Sequence, residues 1–551
     1  MRQIAIFLIV IAAVGFFIYS PALKGPFVWD DEHLILHNSY LRDWHHLPQL
    51  LSQDIAAGSG RRFGFWRPLQ MLSYFVDYSI GKQNPFGYHF VNILLHVLGV
   101  FALFWFLQVI SGDRALSGIA ALLFVSHPIH TEAVNYISGR ADLLVFLFLM
   151  LAFVFYIREN RWMAVCYAAA LLSRESALIL PVLIGAYHFV LKKPLNRRRF
   201  LAIGGLALAY LISRMIFLRS LWTEEPLSKI GLAQRWPGAL AALSEYVRLL
   251  ILPLDLHMGY GNTLFRPTDI RVIFGAAILG ILFFLLLRRK TNALVRFSVL
   301  WFLLALAPFL NIIVPLNAFM AEHWLYLSSV GFFILAAYGI RRLGKKASIW
   351  AIGLLVALVA FYGTLTDYNS RLWANPMKLF EHIVKLAPTN NDALINLALV
   401  YKDLGRFGEA KDLLERALEQ KPSDYLVYNV LGSVYYQMGD KQNAQTVWQN
   451  GLSIESRFCE FYNNLGVIEA EKGNFQKAVS LFHDSIRRNP FYADAYKNLA
   501  VAYYNISEYD EALNYWDKAR QLGLREDPVV ADAFEQLRKK LESGLSLNKP
   551  L

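Results

Sequence analysis

Long, nearly uncharged apolar stretches recur through the first two thirds of the chain, and they constrain its fold more than any other feature. Residues 4–23, 143–157 and 272–287 carry almost no charge. In hydrocarbon every backbone N–H and C=O must find its partner within the chain, so stretches of about 20 apolar residues are expected to cross as helices. The 551 residues are 56% hydrophobic and only 17% charged, whereas soluble domains carry about a quarter charged residues. The apolar excess is confined to one part, because everything after Asn375 reads as ordinary amphipathic protein. The expected fold is all-α, with a polytopic membrane domain over 1–366 and a water-soluble domain behind it.

Candidate spans are 4–23, 88–110, 115–126, 143–157, 162–172, 177–191, 200–218, 272–287, 297–314, 324–340 and 348–366, about eleven in all. Several are short and are expected to lie against neighbouring helices. The basic runs 158–161, 192–199, 288–296 and 341–346 each fall between two apolar segments, the pattern of cytoplasmic loops. That placement accounts for the net charge of +12 and argues against a nucleic-acid partner. Were 238–253 a further crossing, Arg288, Arg289 and Lys290 would face outward, so this stretch is read as an interfacial or half-inserted helix. An odd number of crossings then puts the N-terminus in the cytoplasm and the C-terminal domain outside. Arg2 before 4–20 resembles a signal peptide, but no small-x-small cleavage site precedes Pro21, Lys24 and Gly25, so the segment is expected to be retained. Short loops fit a bacterial inner membrane, and an endoplasmic reticulum membrane would give the same topology. The two cysteines, Cys166 and Cys459, lie in different domains and imply no disulfide framework.

The second half is periodic. Leu397, Ala398, Tyr401, Gly405, Ala410, Leu414 and Ala417 recur as Leu431, Gly432, Tyr435, Gly439, Ala444, Trp448 and Gly451, then as Leu465, Gly466, Gly473, Ala478 and Phe482, and again as Leu499, Ala500, Tyr503, Ala512, Trp516 and Ala519. The step of about 34 residues and its positions are those of tetratricopeptide repeats. Small residues let the two helices of a repeat approach, and the aromatic and leucine positions fill the space between them. Four repeats are expected over 391–526. A connector and extra helix should precede them at 367–390, and a capping helix and tail should follow at 527–551. Stacked helix pairs present a concave surface suited to an acceptor protein or peptide. Any chemistry must come from the membrane half.

Three polar constellations there face outward by this topology. The long loop 24–87 opens with Trp29, Asp30, Asp31 and Glu32; one acid would suffice to cap a helix, and three at a membrane boundary point to function. His127, His130, Glu132, Arg140 and Asp142 follow the third span; their spacing is no familiar zinc signature, so hydrogen bonding to a polar substrate is the main reading and a divalent metal the alternative. Arg61, Arg62 and Arg67 in the first loop, with Arg140 and Arg174, stand outside against the charge bias. A lipid phosphate would explain them, as would ion pairs such as Arg140 with Asp142 or Arg174 with Glu175. Glu322 and His323 complete the outer polar set.

Taken in order, Trp29–Glu32, Arg67-Pro68-Leu69, the His-Pro-Ile-His-Thr-Glu-Ala-Val run, Gly-Arg-Ala-Asp and the C-terminal repeats resemble the transmembrane-and-tetratricopeptide-repeat O-mannosyltransferases, among the C-type glycosyltransferases (GT-C). The resemblance covers nearly the whole chain in order and topology, and its specific motifs are short. It implies transfer of a sugar from a polyprenyl-phosphate donor to an extracytoplasmic hydroxyl, usually with inversion and with no certain cofactor. The family's acidic residue after the first helix matches Asp30 and Asp31. The chemistry asks for a base, Asp31 or Asp30, and for positive charge on the leaving phosphate. Two other readings are a membrane-anchored scaffold, for which one helix would suffice, and a transporter, for which two related halves would be expected.

Overall fold

The computed structural model describes residues 2–218, 231–261, 263–313, 315–316, 318–345, 347–524 and 527–543. The end of the ninth expected span at Val314, Lys346 of the fourth basic run, residues 525 and 526 of the last repeat and the tail from 544 lie outside them. Among the described residues the regular structure is helical, with no strand.

The chain folds as two compact units, one of residues 1–31, 51–55 and 63–387 and the other of residues 32–50, 56–62 and 388–551. In the first, seven helices among the described residues are long and apolar enough to cross a membrane: Ile4–Lys24, Pro85–Ser111, Ile137–Ile157, Arg197–Leu218, Ile270–Leu287, Glu322–Gly344 and Ser348–Trp373. The shorter apolar helices Arg114–Ser126, Trp162–Ser173, Glu175–Leu191 and Ala293–Phe309 stand at the remaining expected positions. Their lengths agree with burial against neighbours: Ala120, Ala121 and Phe124 of Arg114–Ser126 are wholly inaccessible. Asp113 starts that helix by accepting the backbone N–H groups of Ala115 and Leu116. Leu232–Ile251, which contains most of the ambiguous stretch, buries Leu243, Tyr246, Leu249 and Leu250 against Val272, Leu306 and Phe319. With this many helices of such length and apolarity, the protein is an integral membrane protein.

The last long helix does not stop at 366 but continues to Trp373, and Pro376–Leu386 groups with the first unit. The reason is local: Phe380 sits edge-on to Trp29 at 4.8 Å, and a ring nitrogen of His382 bonds the Leu256 carbonyl at 3.0 Å.

The second unit holds four helix pairs: Asn391–Asp403 with Phe407–Gln420, Tyr425–Gln437 with Lys441–Ile454, Cys459–Glu471 with Phe475–Arg488, and Ala493–Asn505 with Tyr509–Gln521. Pro528–Glu542 caps the stack, with Phe534 lying flat on Trp516 at 4.5 Å. The turn inside each repeat needs a left-handed residue, supplied by Gly405, Gly439 and Gly473 and, in the fourth, by Ser507 at φ +68°. Much of the first loop belongs here and not to the membrane domain. Arg61 pairs with Glu460 at 3.0 Å, Asn489 donates to the Ser59 carbonyl at 3.2 Å, and Tyr40 meets Phe491 edge-on at 5.6 Å. Arg61 is therefore spent on a repeat carboxylate, which removes it from the outer cationic set.

Candidate active site

The three consecutive acids diverge. After the first helix the backbone turns through Trp29, a non-glycine residue at φ +52°, a left-handed conformation that a bulky side chain adopts only when its surroundings impose it. Those surroundings are aromatic: Trp29 is set against Phe380 at 4.8 Å, Trp373 at 6.3 Å and Tyr136 at 6.4 Å. The turn sends Asp31 inward and Asp30 outward. Asp31 is wholly buried; one carboxylate oxygen accepts the Val28 N–H at 3.1 Å, and the other accepts the Ser138 N–H at 2.9 Å and the Ser138 hydroxyl at 2.5 Å. Burial pushes its pKa up to about 7 against these hydrogen bonds, with Asp30 adding to the rise. Asp30 is exposed, and its N–H donates to the Tyr136 hydroxyl at 3.1 Å. Glu32 is exposed, opens the wide helical turn Glu32–Leu36 and belongs to the second unit.

The histidines of the second constellation are interior groups. His127 is buried; one ring nitrogen bonds the Leu250 carbonyl at 3.1 Å and the other accepts the Ile129 N–H at 3.2 Å. Burial pushes its pKa down to about 3. His130 stacks on Phe124 at 4.1 Å and meets Tyr326 edge-on at 4.8 Å. Burial, then its neighbours His96 and His127, hold it well below the usual histidine range. Neither side chain is placed to bind substrate, contrary to the sequence reading. Buried apolar positions within and after the pair (Ile129, Ala133, Val134) draw the whole run inside. Gly139 follows from close approach: a Cβ there would lie 2.6 Å from the Ala133 carbonyl oxygen.

Glu132 pairs with His323, accepting its N–H at 2.9 Å and bonding its ring at 2.7 Å. Burial opposes the charge, but His323 prevails and holds the carboxyl below its ordinary range. Glu322, 3% exposed, accepts the His257 N–H and the Tyr260 hydroxyl, both at 2.6 Å. No three His, Cys, Asp or Glu side chains converge as metal ligands among the described residues.

The arginines are paired, though not with their sequence neighbours. Arg140 is completely inaccessible: it meets Asp77 at 2.5 Å, donates to Asn92 at 2.8 Å and to the Tyr88 carbonyl at 2.9 Å, and lies over Tyr74. It therefore has no face for a phosphate, which corrects its assignment to substrate. Arg174 pairs with Asp142, and Arg67 grips Glu175 with two bonds of 2.7 and 3.2 Å. The Arg67 and Arg174 side chains keep 10% and 11% exposure. Together these four form one cluster of two guanidinium groups and two carboxylates, in which Arg67 also feels Asp142 and Glu175 also feels Arg174.

Sequence reasoning missed Tyr136, Ser138, Asp77, Tyr260 and Trp373. Asp77, a lone acid in the apolar run of Pro68–Gly81, was the one with a visible signal.

Tetratricopeptide-repeat family models match residues 377–434, 425–456 and 463–528. The protein O-mannosyl-transferase F38B6.6 of Caenorhabditis elegans is 26% identical over 444 residues, covering 76% of this chain and 63% of that protein. The human protein O-mannosyl-transferase TMTC4 is 27% identical, covering 72% and 64%, and Tmtc1 of Drosophila melanogaster is 25% identical, covering 75% and 61%. The chain thus spans somewhat under two thirds of the length of these relatives. Among solved structures, MamA is 24% identical over 29% of this chain and 90% of its own, with a TM-score of 0.24. With repeat models matching at one end and relatives aligned over about three quarters of its length, the chain is similar to the protein O-mannosyl-transferases that join a membrane part to tetratricopeptide repeats.

Proposed function

We propose that this protein is a membrane glycosyltransferase of GT-C type. It moves a hexose, mannose by analogy with the names of its relatives, from a polyprenyl-phosphate donor to a serine or threonine hydroxyl of an extracytoplasmic protein. The observation that carries this reading is Asp30, exposed beside the left-handed Trp29 after the first helix, with its backbone N–H donating to the Tyr136 hydroxyl. In a single displacement the acceptor oxygen bonds to the anomeric carbon. The bond from that carbon to the phosphate oxygen breaks, and the phosphate leaves with the electron pair. Asp30 takes the hydroxyl proton, and the configuration inverts. Asp31 is the wrong candidate for the base, because its oxygens are buried and already accept three hydrogen bonds. It secures the turn through Ser138 instead. Arg67 and Arg174 hold the leaving phosphate, whose own acidity makes a strong general acid unnecessary.

The membrane topology proposed with it has the N-terminus in the cytoplasm, eleven crossings and the repeats outside, as in a bacterial inner membrane. The repeats recognise the acceptor protein. Single cysteines at 197 and 289, probed with an impermeant thiol reagent in intact cells, test the topology; labelling at 289 would contradict it. Purified protein given tritiated polyprenyl-phosphate mannose and membrane-extracted proteins tests the activity. Base-labile label on serine or threonine is the expected result. Absence of transfer across mannose, glucose and galactose donors would refute the reading and favour a scaffold.

A further inference from the structure

The first helices of the second, third and fourth repeats are joined by a row of asparagines. Asn498 donates to the Asn463 side-chain oxygen at 2.8 Å, Asn463 donates to that of Asn464 at 3.3 Å, and Asn464 donates to that of Asn429 at 3.0 Å. Four primary amides thus form one chain of hydrogen bonds that crosses two repeat junctions, each crossing a step of 35 residues. Asn463 is buried, while Asn429, Asn464 and Asn498 are half-buried. One helical turn further on, the same face carries Ser433, Val467 and Val501. Ser433 donates to the Asn429 backbone carbonyl at 3.0 Å, and Val501 is exposed.

Packing between repeats does not call for amides here. At the first junction the same step falls on Ile395 and Val430, both buried, so an apolar pair suffices to seal a junction of this array. Amides in its place gain little stability, because their hydrogen bonds replace bonds to water. What they add is hydrogen-bonding capacity. Each carries two N–H donors and an oxygen with two lone pairs, and each link of the row uses only one of each. A donor and an acceptor side by side on one amide match the N–H and C=O of a peptide unit. The row and the three residues beside it are uncharged, so the strip does not select charged side chains. In the fourth repeat the position equivalent to Asn463 is Lys497, which is tied to Asp494 at 3.2 Å.

We infer that this strip binds an extended stretch of polypeptide by its main chain, without selecting its side chains. A helix or a sheet has already committed its N–H and C=O groups to internal bonds, whereas an extended segment still offers them, as in recognition by strand addition. The inference rests on the reading of the repeats as the acceptor-binding part for what the peptide is; the row itself is independent of the chemistry in the membrane unit. It narrows the acceptor to hydroxyls in unstructured segments, and it lets one array serve acceptors of unrelated sequence.

The test measures fluorescence anisotropy of a labelled, unstructured, uncharged peptide containing serine and threonine, with the full chain in detergent and no sugar donor. The peptide and a scrambled version should bind within about twofold of each other, and a version N-methylated at alternate residues should bind about tenfold more weakly. Asn429→Ile combined with Asn464→Val copies the first junction into the second; it should melt no lower than wild type and lose about tenfold in affinity. If that pair folds poorly, Asn498→Ala at the other junction gives the same comparison. Asn396→Ala is the control, since that amide donates to the Asp392 carbonyl of its own helix at 2.7 Å, and binding should be unchanged. No peptide bound by wild type, equal binding of the N-methylated peptide, or full affinity in the folded variants would overturn the inference. So would binding of a folded protein but of no peptide. A peptide bound through the row yet never glycosylated when donor is added would uphold the strip and refute the acceptor reading. Transfer to a peptide that the row does not bind would refute the strip alone.

Discussion

The two units handle charge in opposite ways. In the repeats, many ion pairs are local and wet: Arg487 with Asp484 and Lys497 with Asp494 lie three residues apart, and the Arg487 side chain is 69% exposed. In the membrane unit the buried pairs join distant elements: Arg140 with Asp77, Arg67 with Glu175 and Arg174 with Asp142. Spacing along a helix sets the first kind. The second kind is set by desolvation, which makes an unpaired ion intolerable and so selects whichever opposite charge the fold brings near. An ionisable group kept inside an apolar bundle therefore says more about architecture and chemistry than the same group on a repeat surface.

The sharpest way to break this contrast is Arg140→Ala. It strands Asp77 in the interior and should destabilise the first unit by about 3–5 kcal/mol, read as a loss of folded protein in thermal denaturation. Replacing both partners with Met and Leu should restore much of it. Asp31 gives a second test through pH. Its folded pKa, near 7, lies above its ordinary value of 3.8. The folded state therefore holds a proton that the unfolded chain releases in between, and stability should fall as pH rises from about 4 to 7 and then level off. Asp31→Asn should flatten that slope, and an unchanged slope would remove Asp31 as its source.

In the repeats, backbone conformation should matter more than surface charge. Gly473→Ala places a Cβ in open space but at φ +81°, so it should destabilise by about 1–2 kcal/mol through the left-handed strain alone. Ser507→Gly, at the matching turn, should move stability the other way by a smaller amount. Arg487→Ala should change it by no more than about 0.5 kcal/mol, and a larger loss would show that the local pairs act as a network.

The same contrast governs what could be read from the residues. The repeat helices follow from small and aromatic positions at a fixed step, because each repeat meets only its neighbours. The apolar spans follow from hydrocarbon thickness. The pairing of Arg140 with Asp77 and not Asp142 was hidden, since it depends on which helices pack together. So was the interior placement of His127 and His130, whose polar identity outweighed the apolar residues around them. Asp30 and Asp31 are adjacent in sequence, and only the left-handed turn at Trp29 separates their fates. The anchoring of 32–50 and 56–62 in the repeat unit had no sequence signal beyond Arg61.

The central claim is that Asp30 accepts the proton while Asp31 holds the turn. It is tested most directly by comparing Asp30→Asn and Asp31→Asn in transfer of tritiated mannose from polyprenyl-phosphate mannose, with activity expressed per folded molecule. Asp30→Asn should lose about 10² to 10⁴-fold in turnover, with donor affinity and melting temperature unchanged. Asp31→Asn should alter melting and its pH dependence while keeping turnover within a few-fold. An active Asp30→Asn beside an inactive, stably folded Asp31→Asn would contradict the account.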